Sequence, residues 1–344
     1  MESESNTRGE TSERSEMRKK DHIEMAFQSR QDLNAIDRRF YYEPMLTAHP
    51  DESAVGKSIP FAGKELKVPI WVSSMTGGTE KAEAINRNLA MACAEFGMGF
   101  GLGSCRSLLE GKTHRWKDFD FRSVVGDDLP FYANLGIAQL ERVNWRKVED
   151  LVGNLKADGL IVHVNPLQEA MQPEGDRFSV PPVETIQSAV ENTSLRIIVK
   201  EVGQGFGKGS LKALMKLPLQ AIEFGAHGGT NFSKLELLRS DEEKRNVFAP
   251  VAAVGHTAEE MVSWVNELKG ELGPECKVKE FIISGGVKNF LDGYYFVEKL
   301  NFTAVYGQAS GFLKYATGDY LRLKTHVENQ IRGYQLAKSY LRIK

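Results

Sequence analysis

The sequence predicts an α/β chain folded as a (β/α)8 TIM barrel, with an N-terminal extension and a C-terminal helix. Three observations carry this expectation. Short, continuously apolar runs alternate with amphipathic stretches of helical period, the pattern of a parallel sheet covered by helices. Seven or eight such units fit into 344 residues, a length that accommodates one barrel of about 250 residues with extensions. Nearly every apolar run ends in polar or glycine residues: Ser73–Gly78, Asn134, His163–Gln168, Lys200–Glu201, Gly228–Thr230, Ser284–Gly286 and Gly307–Gln308. A closed barrel gathers all such ends at one face, whereas an open doubly wound sheet would divide them between crevices.

The elements follow in order. "MESESNTRGETSERSE" is acidic, polar and without the apolar core of a signal peptide, so residues 1–17 read as a disordered tail and 18–344 as one domain. "KSIPFAGKELKVPI" precedes the first barrel strand, and "VPIWVSS" is that strand. In "TEKAEAINRNLAMACAEFG", Ile85, Leu89, Ala92, Cys93 and Phe96 recur at helical spacing, with Gly97 as the stop. "LPFYANLG" follows, then a helix from Asn144 whose buried stripe is Val148, Leu151, Val152 and Leu155. "GLIVHVN", a helix around Pro182–Glu191, "LRIIVKEVG" and "LQAIEFGAHGGT" come next. Thr257 and Glu260 form a capping box at the head of "AEEMVSWVNELKG". "VKEFIISGG" and "FTAVYG" close the series, and a terminal helix after Tyr320 sets Leu323, Val327, Ile331 and Leu336 on one face.

Bulk properties narrow the function. A formal net charge of −2 gives no basis for general nucleic-acid binding. Cys93, Cys105 and Cys276 are widely spaced and odd in number, which fits a reducing cytoplasm better than a disulfide framework or a zinc site. No run approaches the roughly 18 apolar residues of a membrane span.

The chemistry gathers at the strand ends. "ISGGVKNF" and "VYGQASGFL" each place glycines between a strand and a helix, where backbone N–H groups can approach a phosphate; turns without a ligand are the alternative. Lys200 ends an aliphatic strand. It can serve as a fixed cation, form a Schiff base, or simply pair with Glu201 or Glu223. "GSCR" offers Ser104 and Arg106, and "HVNPLQEAMQPEGDRF" offers His163, Asn165, Gln168 and Glu169 within seven residues. Mg2+ takes only one or two carboxylates and leaves its other positions to water and phosphate. The basic run "RKKDH" could cover a barrel mouth.

Together, "RKKDHIE", "MTGG", "GSCR", "ANLG", "HVNPLQEAMQPEGDRF", "VKEVGQG", "GGTNF" and "SGGVK" resemble the type 2, FMN-dependent isopentenyl-diphosphate delta-isomerases, in that family's order from Arg18 to Ala309. The resemblance implies a cytoplasmic TIM-barrel isomerase, a homotetramer or larger, that interconverts isopentenyl and dimethylallyl diphosphate. It implies reduced FMN as the acid-base group, NADPH as reductant and Mg2+ on the diphosphate. By motif position, Met75, Thr76, Ser104, Asn134, Lys200 and Thr230 would contact FMN, with Gly285, Gly286, Lys288, Gln308 and Ala309 around its phosphate. Arg18, Lys19, Ser104, Arg106, His163 and Gln168 would contact substrate, and Glu169 would ligate the metal. Lys200, His163, Gln168 and, more loosely, Glu236 in "KLELLR" would be catalytic. Cys105, Lys288 and Phe232 stand where the family commonly has glutamine, arginine and tryptophan. The alternative is an FMN-dependent 2-hydroxy-acid oxidase or dehydrogenase, which shares the phosphate loops.

Overall fold

Eight parallel strands close on themselves: β1 (Ile70–Val72), β2 (Gly99–Gly101), β3 (Phe131–Gly136), β4 (Gly159–Val164), β5 (Ile197–Glu201), β6 (Ala221–Glu223), β7 (Glu280–Ser284) and β8 (Thr303–Gln308). The computed structural model describes residues 2–50, 58–74, 77 and 80–344. β8 pairs with β1 through Tyr306–Ile70, Gly307–Trp71 and Gln308–Val72, which completes the barrel. Most strands have an apolar middle because a barrel strand is buried on both faces, by the lumen and by the outer helices, while polar residues collect toward their C-terminal ends.

Seven strands stand where the apolar runs place them. β2 is the one that the runs do not announce. Its sequence, Gly-Phe-Gly, offers one large side chain. The two glycines are required by packing: a Cβ on Gly99 would lie 2.2 Å from the Trp71 ring, and one on Gly101 would lie 2.7 Å from Ile161 Cδ1. Trp71, wholly buried, thus fills the space that β2 leaves open.

Upstream of β1, Ile59–Phe61 and Lys64–Leu66 form an antiparallel hairpin. Its two-residue turn has φ of 53° at Ala62 and 79° at Gly63, the positive-φ pair that the right-handed strand twist favours. Phe61 and Leu66 are buried, Phe61 meets Trp71 edge to face, and Tyr132 Oη donates to Ala62 O at 3.2 Å. The hairpin therefore caps the end of the barrel opposite the strand C-termini.

The helices between strands follow their signals. Glu80–Phe96 ends at Gly97, whose φ is 70°. Asn144 caps Trp145–Asn154, with Val148, Leu151 and Val152 buried. Pro182–Asn192 starts at a proline pair, and the Thr257–Glu260 capping box opens Ala258–Leu272. Tyr320–Tyr340 buries Leu323, Val327, Tyr334 and Ala337, whereas Leu336 is exposed. The correction follows from the 3.6-residue period: from Val327 the stripe returns at 334 and 337, and position 336 lies on the solvent side. All three cysteines are free and buried.

Residues 1–41 and Lys344 form a unit distinct from 42–343. It contains a helix over Glu2–Met25. Among the described residues, no helix is long and apolar enough to cross a membrane.

Candidate active site

Two adjoining hollows open at the C-terminal ends of the strands. The first is a slot of about 70 Å3, walled mainly by glycine turns and strand ends: Ser73, Ser74, Gly203, Gly225, Gly229, Thr230, Ser284, Gly285, Gly286, Gly307, Gln308 and Ala309. The second, of about 230 Å3, is walled by Ser104, Arg106, Asn134, Gln139, His163, Asn165, Gln168, Glu169 and Gln172. Ser74, Lys200, Val202 and Phe232 belong to both walls.

The glycines of the slot are dictated by close approach. A Cβ on Gly285 would lie 2.0 Å from Ala226 O, and its φ of 83° already disfavours a side chain. Ser73 Oγ, Ser74 Oγ and Gln308 Oε1 are buried there without a hydrogen-bond partner, while Gln308 Nε2 donates to Val287 O at 3.1 Å. Orphaned buried polar atoms are costly unless a bound group meets them. The unsatisfied hydroxyls can donate to the phosphate or ring carbonyls of a flavin mononucleotide, and Gln308 Oε1 can accept from one of its N–H or O–H groups.

Strand register sets the other wall. His163 on β4 lies beside Lys200 on β5, which lies beside Glu223 on β6. His163 Nδ1 is 2.7 Å from Asn134 Oδ1, so the amide oxygen fixes the ring proton on Nδ1 and makes Nε2 the acceptor. Burial, aided by the Lys200 charge, pushes His163 down to about 4, and the imidazole is neutral at physiological pH. Lys200 Nζ is 3.1 Å from Glu223 Oε1 and donates to Glu201 O at 3.0 Å. Lys200 therefore forms the ion pair with Glu223 that its sequence position allows. That pair coexists with a place on both cavity walls. Glu201 is committed elsewhere: its Oε2 accepts from the N–H groups of Gly203, Gln204 and Gly205, and burial nevertheless raises it.

The loop after β4 is a network. Asn165 Nδ2 donates to Gln168 Oε1 at 3.1 Å and to Glu169 Oε1 at 2.9 Å, and Asp176 N donates to Glu169 Oε2 at 2.8 Å. Gln172 Nε2 and Gln168 Nε2 donate to Glu236 Oε1 at 2.8 and 3.3 Å, and Arg239 Nη1 donates to Glu236 Oε2 at 2.6 Å. Asp176 Oδ2 accepts from both Arg106 Nη1 and Gln139 Nε2, at 2.7 and 2.8 Å. Glu169, 7% exposed, is thus aimed but keeps lone pairs for a cation. Among the described residues, no three His, Cys, Asp or Glu gather as a metal cage, so a hard cation here would need ligands from a bound phosphate.

Among the expected site residues, Ser104, Arg106, Asn134, His163, Gln168, Glu169 and Lys200 meet at the second cavity, and Thr230, Gly285, Gly286, Gln308 and Ala309 at the slot. Glu236 reaches the site through Gln168 and Gln172. Lys288 is exposed, and its N–H donates to Asp292 Oδ2 rather than entering the slot. Arg18 and Lys19 belong to the N-terminal unit. Met75 and Thr76 lie outside the described residues. Sequence reading missed Gln139, Gln172 and Asp176 as members of the site. Gln172 and Asp176 carried a signal, their place in "HVNPLQEAMQPEGDRF"; Gln139 carried none.

Solved structures share this architecture. A mandelate oxidase variant with an FMN monooxide adduct aligns with a TM-score of 0.53 at 12% identity, over 89% of this chain and 88% of that one. A flavocytochrome b2 variant with benzoylformate aligns with a TM-score of 0.57 at 14% identity, over 88% and 72%. At such identities the likeness is one of fold. No protein-family model matches the chain. Curated relatives are more informative. The isopentenyl-diphosphate delta-isomerase of Rickettsia typhi is 33% identical over 284 residues, 80% of this chain and 79% of the relative. That of Picrophilus torridus is 33% identical over 290 residues, 80% and 78%. With a motif set in matching order, a closed barrel and identity sustained over most of both chains, this protein belongs to the isopentenyl-diphosphate delta-isomerase family.

Proposed function

We propose that the protein interconverts isopentenyl and dimethylallyl diphosphate without net redox change, using reduced FMN in the glycine-walled slot and Mg2+ on the diphosphate. The observation that carries the reading is the shared wall. Lys200 faces both a slot suited to a flavin and a cavity suited to a diphosphate.

Moving a double bond requires a proton added at one carbon and removed from another. An alkene is a very weak base, so the acid must be close and aligned. The carboxylates at and behind the cavity wall are already engaged: Glu169 with Asn165 and Asp176, and Glu236, behind Gln168 and Gln172, with Gln172 and Arg239. Bound reduced FMN supplies the missing proton donor and acceptor at its ring nitrogen N5. Ser104, Asn134, Lys200 and Thr230 hold the ring and its side chain, with Met75 and Thr76 assigned by motif alone. Gly285, Gly286, Gln308 and Ala309 surround the phosphate, and Lys288 meets it only from outside the slot wall.

Arg106, Gln168 and His163 bind the diphosphate; Arg18 and Lys19 are assigned to substrate by motif alone. His163 is neutral in the ligand-free site; an arriving polyanion favours its protonation at Nε2, which then donates to phosphate. Glu169 supplies one carboxylate to Mg2+, and Glu236 holds Gln168 in register. Phe232 and Val202 exclude water, which would otherwise capture a cationic intermediate. NADPH as reductant, cytoplasmic location and a homotetramer or larger assembly complete the reading. The 2-hydroxy-acid oxidase alternative has only the fold in its favour.

The test is anaerobic incubation with FMN, NADPH, Mg2+ and isopentenyl diphosphate. Dimethylallyl diphosphate should form far in excess of the NADPH consumed. Product formed one for one with NADPH, or none, refutes the isomerase reading.

A further inference from the structure

We propose that Glu223 is a positioning residue for Lys200: it anchors the ammonium from below and aims it at the wall common to the slot and the cavity. The inference rests on the flavin reading of the slot.

Lys200 is the one charged side chain on the described walls of the slot. A lysine has three donors. One goes to Glu223 Oε1 at 3.1 Å and one to Glu201 O at 3.0 Å, which leaves the third for the hollow above. Glu223 is itself held. Ser284 Oγ donates to Glu223 Oε1 at 3.1 Å, and Gly225 N donates to Ser284 Oγ at 3.0 Å. The adjacent-strand register of β5 and β6 sets Lys200 beside Glu223.

Stability gives little reason for such a carboxylate. Glu223 is 0% exposed, and its Oε2 has no hydrogen-bond partner. A buried ion pair with one orphaned oxygen contributes little net stability, and apolar side chains would serve as well. What the pair does supply is a fixed direction for a long, flexible side chain that otherwise has many rotamers.

A double-variant cycle on FMN affinity tests this, by titrating FMN into the flavin-free protein and following flavin fluorescence. Glu223→Gln keeps the volume and the acceptor for Ser284 but removes the charge that holds the ammonium. Glu223→Gln and Lys200→Ala should each weaken FMN at least tenfold. The double variant should lie within twofold of Lys200→Ala, since Glu223 acts only through the lysine. Thermal unfolding of the flavin-free proteins serves as the fold control, and Glu223→Asp should recover part of the affinity. FMN bound by Glu223→Gln as tightly as by the unaltered protein, or more tightly, overturns the proposal, as do losses that multiply in the double variant. Failure of the unaltered protein to bind FMN sinks the flavin reading itself, and this inference with it.

Discussion

Protonating His163 should cost the fold measurable stability, and the size follows from its surroundings. The ring is half-buried beside Lys200 and gives its Nδ1 proton to Asn134; desolvation first, then the lysine charge, lowers it from 6.5 to about 4. The folded value lies below the unfolded one, so the unfolded chain binds the proton more readily. The contribution is complete above about pH 6.5, is withdrawn as pH falls, and is gone near pH 4. At roughly 1.4 kcal/mol per pH unit, the whole interval corresponds to about 3 kcal/mol, and the part between pH 6.5 and 5 to about 2 kcal/mol. The assay is urea unfolding at pH 7.5 and 5.0 for the unaltered protein and His163→Gln, which retains a side-chain N–H toward Asn134. The unaltered protein should lose about 2 kcal/mol more than the variant over that range. Parallel losses, or a His163 imidazole signal that titrates near 6.5, would falsify the assignment of a neutral, desolvated imidazole.

Four further outcomes can be checked directly. In Gly136→Ala the new Cβ would lie 2.4 Å from Gln139 Oε1 and 2.8 Å from His163 Nε2; kcat should fall at least about tenfold while stability changes by about 1 kcal/mol or less, because side-chain ends give way before backbone does. Glu169→Gln should raise the Mg2+ concentration for half-maximal activity at least about tenfold, since only a carboxylate is a strong hard-cation ligand; an unchanged Mg2+ profile would remove Glu169 from the metal. Burial pushes Cys93 up and Cys105 up to about 12, so alkylation at pH 8 should be negligible in the folded protein and rise by orders of magnitude in urea. Asp158 Oδ2 accepts from Arg122 Nη2 at 2.6 Å and from Phe131 N at 2.8 Å, and its Oδ1 lies 2.7 Å from Lys64 Nζ. Asp158→Ala should therefore cost about 3–5 kcal/mol on thermal or chemical unfolding, by leaving the 5%-exposed Arg122 without its counter-charge.

The barrel was legible because its signals are local. An apolar run flanked by glycines specifies a strand buried on both faces whatever its neighbours, and Thr257 with Glu260 or Asn144 can cap a helix without tertiary help. The same holds for "HVNPLQE", where Asn165, Gln168 and Glu169 bond to one another within one turn of chain. The quoted motifs, taken in order, indicate the family from the sequence alone. What depended on strand register was not legible. Nothing in a period of two or 3.6 says which residue of a neighbouring strand lies alongside. That Glu223, 23 positions after Lys200, would sit beneath it was one of two pairings open to the lysine, and the register between β5 and β6 chose it. Asp176 joined Arg106 and Gln139 only because parallel pairing of β2, β3 and β4 brings the loops after them to one rim. β2 itself escaped notice because Trp71 and Ile161, from other strands, supply the bulk that its glycines lack. Sequence alone determined the kind of fold, the family and the chemical types available at the strand ends. Tertiary structure decided which of those groups touch, because contact between strands is a property of register and closure rather than of any one segment.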